Sequence, residues 1–148
     1  MKTFALLTCL LLGATATPVK QRQAITQAQV SGFAASTNPN GDGATIAYDF
    51  EIPGVLATHC AYEDSTSGST LPAVPLTTRC DDPAVRWQFR QDPSIPGTEG
   101  RYRIVVVRSL PDSAAEEAGF YEWPASDFPL VEAETVYQGA SDFTIDLS

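Results

Sequence analysis

The chain has 148 residues, and its 18 aspartates and glutamates outnumber 9 lysines and arginines, which gives a formal net charge of −9 at pH 7. Lys2, Lys20 and Arg22 all precede Gln23, so from Gln23 onward six arginines and no lysine face the 18 acids, a net of −12. Such a surface repels phosphate backbones and anionic lipid headgroups, which argues against a nucleic acid as partner.

The N-terminus has the pattern of a secretory signal peptide. Lys2 is followed by the apolar run 4–13 and by small residues at 14–16, the three parts that define such a signal. The pattern predicts cleavage before Thr17, which removes residues 1–16. The apolar run is shorter than the roughly 20 residues that span a bilayer as a helix. We therefore expect a secreted, extracellular protein with no membrane insertion.

A short basic stretch, Lys20-Gln21-Arg22, follows the signal. Cleavage after Arg22 would leave Gln23 as the new N-terminus, and the alternative is a polar leader that stays uncut. Residues 23–148 are then expected to form one secreted domain, long enough to bury a core of its own.

Short runs of alternating apolar and polar residues follow each other along this domain. Alternation with a period of two is typical of half-buried strands. It is strong at 45–52, 85–90, 102–108 and 143–147. Weaker strands are expected at 29–35, 55–62, 119–123 and 132–137.

Residues that favour turns separate these runs. Asn38 to Gly43 contains both Asn-Gly and Asp-Gly, the dipeptides of tight hairpin turns, and the stretches 64–75 and 91–100 are rich in Ser, Gly and Pro. Only Ser113 to Ala118, ended by Gly119, has the composition of a helical turn. The sequence predicts an all-β fold, a single β-sandwich or β-barrel of about seven or eight strands.

The cysteines predict one disulfide. Cys9 leaves with the signal peptide, and Cys60 and Cys80 remain. Two cysteines outside the cell usually pair, and closing a loop of this size stabilises by about 3 kcal/mol in the chain-entropy model. A metal site would need more ligands, and His59 is the only histidine, so we expect neither a metal nor another cofactor.

Two sets of side chains were candidates for catalysis. The strand parity places His59 opposite Cys60 and therefore on the surface, and no nucleophile motif lies nearby. The neighbouring acids Asp81-Asp82 and Glu116-Glu117 could serve a glycosidase only if two carboxylates faced one cleft. We expect no enzyme, and a secreted hydrolase that uses carboxylates is the alternative.

A loop near the N-terminus of the domain resembles the start of a calcium site. Asn38, Asn40 and Asp42 precede Gly43, and Asp49 falls at the twelfth position of the loop. An EF-hand requires flanking helices and normally a bidentate glutamate at that position, whereas the neighbours here alternate as strands do. A hairpin turn is the favoured interpretation, and loose calcium binding is the alternative.

Two successive predicted strands carry arginines at outward positions. If the strands form a hairpin, Trp87, Phe89, Tyr102 and Ile104 face the core together. The outer face then holds Arg86, Arg90, Arg101 and Arg103. These arginines either pair with surface acids, each pair contributing little, or form a guanidinium patch for a polyanionic or carboxylate partner.

The stretch 121–129 is rich in aromatic residues. In a loop, Trp123 and Phe128 could contact a partner and extend the binding surface. The alternative is that these two side chains cover the open end of the barrel.

Several short features occur in a fixed order, namely the signal peptide, Val30-Ser31-Gly32-Phe33, Cys60, Leu71-Pro72-Ala73-Val74, Cys80 and Trp87-x-Phe89. In these the chain resembles small secreted proteins of filamentous ascomycetes with the Alt a 1-like (AA1-like) fold, the neighbourhood in which hypersensitive-response-inducing elicitors are placed. The resemblance covers most of residues 29–148. It implies a β-barrel or sandwich and a role as elicitor or effector at the fungus–host interface, without established catalytic residues.

One departure from that group concerns the oligomeric state. The allergen branch has more cysteines, one of which serves dimerisation, whereas this domain has only Cys60 and Cys80. We expect a monomer that binds, or is recognised by, an unknown host protein or wall component. A structural cell-wall protein is a further alternative.

Overall fold

The computed structural model describes residues 25–66, 68–92 and 100–148, so the predicted signal peptide and leader lie outside the described residues. The described chain is built almost entirely of strands, with one short 3-10 helix at Ala125–Asp127. The strands are β1 Thr26–Thr37, β2 Ala44–Ile52, β3 Leu56–Asp64, β4 Val74–Arg79, β5 Val85–Asp92, β6 Arg101–Ser109, β7 Glu116–Trp123, β8 Leu130–Val131, β9 Glu134–Thr135 and β10 Phe143–Leu147.

Eight of these strands form two antiparallel sheets. Sheet A has the order β10-β1-β2-β3, and sheet B has the order β4-β5-β6-β7. Strands β8 and β9 form a separate small hairpin. The prediction of an all-β domain is confirmed, and the architecture is that of a sandwich.

The core lies between the two sheets and is formed by the inward half of each alternating strand. Strand β2 alternates buried and more exposed residues along its whole length. The four side chains that the arginine hairpin predicts as inward, Trp87, Phe89, Tyr102 and Ile104, are all buried. Trp87 of sheet B meets Tyr48 of sheet A edge to face, with ring centroids 5.2 Å apart, a geometry that aromatic pairs favour.

One pair of sheet edges is joined by backbone hydrogen bonds. Ala118 of β7 and Ser148, which follows β10, exchange two N–H···O bonds of 3.1 and 3.2 Å. Gly119 permits this approach, because a Cβ at that position would overlap the Asp146 carbonyl oxygen and lie 2.5 Å from Ile145 Cγ2. These two hydrogen bonds therefore tie sheet A to sheet B at this side.

The opposite pair of edges is joined by the disulfide. Cys60 of β3 and Cys80, just after β4, form the predicted bridge, with Cα atoms 4.2 Å apart. The Asp81 amide donates to the His59 carbonyl oxygen over 2.8 Å, and the Asp82 amide donates to Thr58 Oγ1 over 2.8 Å. Both sides of the sandwich are thus tied.

The structure differs from the sequence-based expectations at three places. The helical turn at Ser113–Ala118 is wrong, because β7 begins at Glu116 and pairs there with Ser109, and a six-residue helix has too few hydrogen bonds to compete. Strand β4 was not predicted. The single strand expected at 132–137 is instead a hairpin whose turn residues Glu132 and Ala133 both have positive φ.

Candidate binding surface

The two sheets differ sharply in charge. All six arginines beyond Gln23 lie in the strands of sheet B, which also contain four acids, so these strands sum to +2. The strands of sheet A contain five acids and no arginine or lysine, so they sum to −5. The positive charge of the described domain is therefore confined to one sheet.

Strand parity sends most of these arginines to the outer face of sheet B. In β5 and β6 the outward arginines alternate with the buried core residues, as the sequence predicts. Arg79 of β4 joins them, since it is the register partner of Arg86. We call this surface the arginine face and define it by Arg79, Arg86, Arg90, Arg101, Arg103 and Phe120.

A bidentate ion pair crosses the arginine face. Arg86 Nη1 and Nη2 of β5 donate to the two carboxylate oxygens of Glu116 in β7, over 2.6 and 2.8 Å. Strand β6 lies between them, and there Val107, which has outward parity, is only 6% exposed. The hydrogen bond from Arg86 also lowers the pKa of Glu116. Charge-assisted bidentate pairs are directional, so this pair fixes the two side chains across the sheet.

A second group of contacts surrounds Glu122 of β7. Arg103 donates to Glu122 Oε1 through Nε, over 2.7 Å, and through Nη2, and Arg101 Nη1 lies 3.6 Å from Glu122 Oε2. The Arg103 guanidinium carbon lies 5.4 Å from the centroid of the Phe120 ring. Phe120 is 61% exposed, so an aromatic ring stands beside the cations on this face.

Like charges face each other directly on the arginine face. Arg79 is the register partner of Arg86, and Arg90 is the register partner of Arg103. Such pairs are destabilising in an antiparallel sheet. Ion pairs with Glu116 and Glu122 offset part of this repulsion. All four arginines named from the sequence lie within ion-pair distance of an acid: Arg86 and Arg103 through hydrogen bonds, and Arg90 and Arg101 over 3.7 and 3.6 Å.

The two aromatic residues expected on the surface are buried instead. Trp123 is 2% exposed and Phe128 is 5% exposed. Trp123 has inward parity in β7 and stacks on Phe33, with centroids 4.7 Å apart, while Phe128 packs on Tyr102 at 4.0 Å. The prediction that these two side chains contact a partner is wrong, because both are buried in the core.

Sequence reasoning overlooked Phe120, Arg79 and the acidic partners. The sequence does indicate that Phe120 faces outward, because it lies between Gly119 and Tyr121 in a run whose alternate residues face the core. Arg79 is the last residue of β4, a strand that the sequence pattern does not predict. Glu116 lies in the segment that was assigned to a helical turn.

His59 lies on the outer face of sheet A, as its parity predicts. Its Nδ1 is 2.8 Å from Asp49 Oδ1, and both side chains are exposed. Asp49 is also the register partner of Ser31, so the row across the sheet reads Ser31, Asp49, His59. Adjacent strands lie roughly 4.8 Å apart. The carboxylate therefore stands between the imidazole and the nearest hydroxyl in its row, the reverse of the order that a serine nucleophile needs.

The paired acids serve separate structural contacts. Asp82 Oδ1 accepts a hydrogen bond from the Ala84 amide over 2.8 Å, which closes a turn. Glu116 and Glu117 point to opposite faces of β7: Glu116 bonds Arg86, and Glu117 accepts from Arg108 at 3.4 Å and from Thr26 Oγ1 at 3.0 Å.

The predicted turn at Asn38–Gly43 joins β1 to β2. The Asn38 amide donates to the Gly43 carbonyl oxygen and the Gly41 amide donates to the Asn38 carbonyl oxygen, as a hairpin turn requires. Asp49, the residue at the twelfth position of the suggested calcium loop, bonds His59 in the middle of sheet A. Within the described ranges no group of three or more His, Cys, Asp or Glu residues is placed to hold a metal ion.

No family model matches the chain, and no curated protein matches its sequence. In the part of the chain that the structure describes, no helix has the length and apolar content needed to cross a membrane.

Proposed function

We propose that the protein is a secreted elicitor or effector of the fungus–host interface that acts by binding, without catalysis, and that the arginine face is its recognition surface. The observation that carries this proposal is the confinement of all six arginines to sheet B in a domain of net charge −12. A surface opposite in sign to the rest of the molecule selects and orients a charged partner.

The repulsive rows on this face support the assignment. Two directly opposed arginine pairs lower the stability of the sheet, and nothing in the core requires arginine at outward positions. Natural sequences keep locally unfavourable choices mainly at functional sites. Arginine is also enriched at interfaces, where its planar guanidinium binds carboxylates through two hydrogen bonds.

The compartment is supported by two independent features. The N-terminal pattern is that of a secretory signal, and the Cys60–Cys80 bridge is of the kind that forms in oxidising compartments. A disulfide-tied sandwich at the host interface also agrees with the resemblance to Alt a 1-like proteins.

The proposal is tested by applying the purified mature protein, secreted from a host that expresses the full chain, to leaf tissue. Ion leakage and cell death are measured against a heat-denatured sample. The expected result is a response to the native protein only. Equal responses to both samples would contradict recognition of the folded surface. Release of reducing sugars from isolated cell walls would instead favour the hydrolase alternative.

A further inference from the structure

We infer that the arginine face binds a linear polycarboxylate, the chemistry of a wall polysaccharide built from uronic acids. The inference rests on the proposed function in one respect, the assignment of this face as the recognition surface. It adds the chemical class of the partner, which follows from the spacing of the arginines, the residues between them and the edges of the sheet.

Among the described residues, no carboxylate lies within hydrogen-bond distance of three arginines on the face, although two of them form longer ion pairs. Arg90 Nη2 lies 3.7 Å from Asp92 Oδ2, and Arg101 Nη1 lies 3.6 Å from Glu122 Oε2. Both distances exceed that of a hydrogen bond. The Arg79 guanidinium donates to the Pro83 carbonyl oxygen over 3.3 Å. Each of these groups has further N–H donors in the geometry that a carboxylate accepts.

The spacing of these groups suits an extended ligand. Arg79 lies beside Arg86 in one group, and Arg90 lies beside Arg103 in the other. Arg86 and Arg90 are four positions apart in β5, roughly 13 Å at the rise of a strand. The positive charges are therefore spread along a flat face and do not converge on one point, which favours a chain with repeated charges over a single compact anion.

The residues between the two groups favour a sugar chain over other polyanions. Gln88, Val105 and Phe120 form one row across β5, β6 and β7. Val105 and the exposed Phe120 ring offer apolar surface, and the C–H faces of sugar rings pack on such surface while their hydroxyl groups remain hydrated. Gln88 can exchange hydrogen bonds with those hydroxyls.

The sheet edges argue against an acidic peptide as the main partner. Extended peptides commonly bind by adding a strand to an exposed sheet edge. At one edge of sheet B, Ala118 of β7 is bonded to Ser148. At the other edge, β4 contains Pro75, which lacks an N–H donor. The outer face of sheet B is then the surface left for a ligand, and a polysaccharide can bind there without backbone pairing.

The acidic sheet A weakens this binding little at physiological ionic strength. Packed sheets lie roughly 10 Å apart, and the Debye length is about 8 Å at 0.15 M salt. Charges on the far face are therefore largely screened from a ligand on the arginine face. At about 1 M salt the Debye length falls to roughly 3 Å, and binding should be lost.

The test measures binding of the mature protein to polygalacturonate at 0.15 M salt. Fully methyl-esterified polygalacturonate, which lacks the charges, and poly-glutamate, which has carboxylates on a peptide, are the comparison probes. The test variant is Arg90→Gln with Arg101→Gln, which lowers the net charge by two. The matched control is Ala34→Glu with Ala61→Glu, the same charge change at exposed positions in sheet A.

We expect binding to polygalacturonate that is lost on esterification and about tenfold weaker in the arginine variant, while the alanine control stays within about twofold. Circular dichroism and a denaturation midpoint confirm the fold of each variant. Equal weakening in both variants would show an effect of net charge and overturn the assignment of the face. Equally tight binding to poly-glutamate would overturn the sugar class in favour of an acidic protein.

The outcome is separable from that of the proposed function. If leaf tissue responds to the wild type and not to the arginine variant, but neither binds polygalacturonate, the proposed function stands and this inference fails. If polygalacturonate binds and leaf tissue does not respond, the arginine face is a wall-binding surface and the elicitor role fails.

Discussion

The outer faces of the two sheets share one core and differ in almost everything else. Sheet A presents small side chains, including a row formed by Ala34, Ala47 and Ala61, and its charged positions are acidic. Sheet B presents five arginines, their acidic partners and Phe120. The inward positions of both sheets are apolar because burial demands it, whereas the outward positions are not dictated by the fold. The difference between the two outer faces is therefore the feature that bears on function.

The largest effect is expected from a change to the core that both sheets share. Trp87→Ala deletes a fully buried side chain that contacts Tyr48 of the opposite sheet. The expected loss is about 3–5 kcal/mol in the free energy of unfolding. Chemical denaturation measures it, with Gln88→Ala, the next residue on the outward face of β5, as control. An unchanged midpoint for Trp87→Ala would show that the indole does not support the core.

The second change removes the tie between the sheets at one side. Replacement of both Cys60 and Cys80 by alanine should lower the free energy of unfolding by about 2–5 kcal/mol, because the unfolded chain gains freedom. Intact mass with and without reduction first verifies that the wild type has no free thiol. Two alkylated thiols in the native wild type would contradict the bridge.

A smaller effect should appear on the arginine face as a dependence on pH. The pKa of Glu116 in the folded protein is lowered from its usual 4.5 by the hydrogen bond from Arg86. The unfolded state therefore binds the proton more readily, and the pair stabilises the fold above the usual pKa and loses this effect as the pH falls through the lowered value. Glu116→Gln should reduce stability at pH 7 and much less at pH 3.

Denaturation of the Glu116→Gln variant at the two pH values measures this difference. Arg86→Gln should show the same dependence, and the double variant should add nothing to it, since a double-mutant cycle isolates the pair. Additive losses would mean that the two side chains act independently.

The smallest effect is expected on sheet A. His59→Ala removes an exposed pair with Asp49 and should change the free energy of unfolding by no more than about 0.5 kcal/mol, with the leaf response unaltered. A histidine-dependent hydrolase would lose at least about a hundredfold in rate. Loss of the response in a well-folded variant would move the functional face from sheet B to sheet A.

The sequence predicts those parts of the fold that depend on alternation. The strands around Tyr48, Trp87 and Ile104 follow from period two because one face is buried along most of their length. The sequence pattern does not predict β4, because Val74 is its only buried residue and its pairing with β5 contains a register shift. This segment is a strand because it pairs with β5, and no local sequence pattern encodes that pairing.

The contacts on the arginine face are likewise only partly predictable from the sequence. Strand alternation alone places Arg86 and Arg103 outward, because each lies next to a residue that is buried in the core. Their partners depend on strand order: Glu116 is thirty positions from Arg86 and lies two strands away. The burial of Trp123 likewise depends on Phe33, which belongs to the other sheet.

The Cys60–Cys80 disulfide also determines what a protease can release. Cys60 and Cys80 enclose the whole segment between β3 and β4, so a protease that cuts there leaves both fragments covalently linked. The fragments are also interlocked, because β10 belongs to the C-terminal piece yet pairs with β1 of the N-terminal piece. A nicked molecule would migrate as one species until it is reduced, and it would keep its arginine face intact.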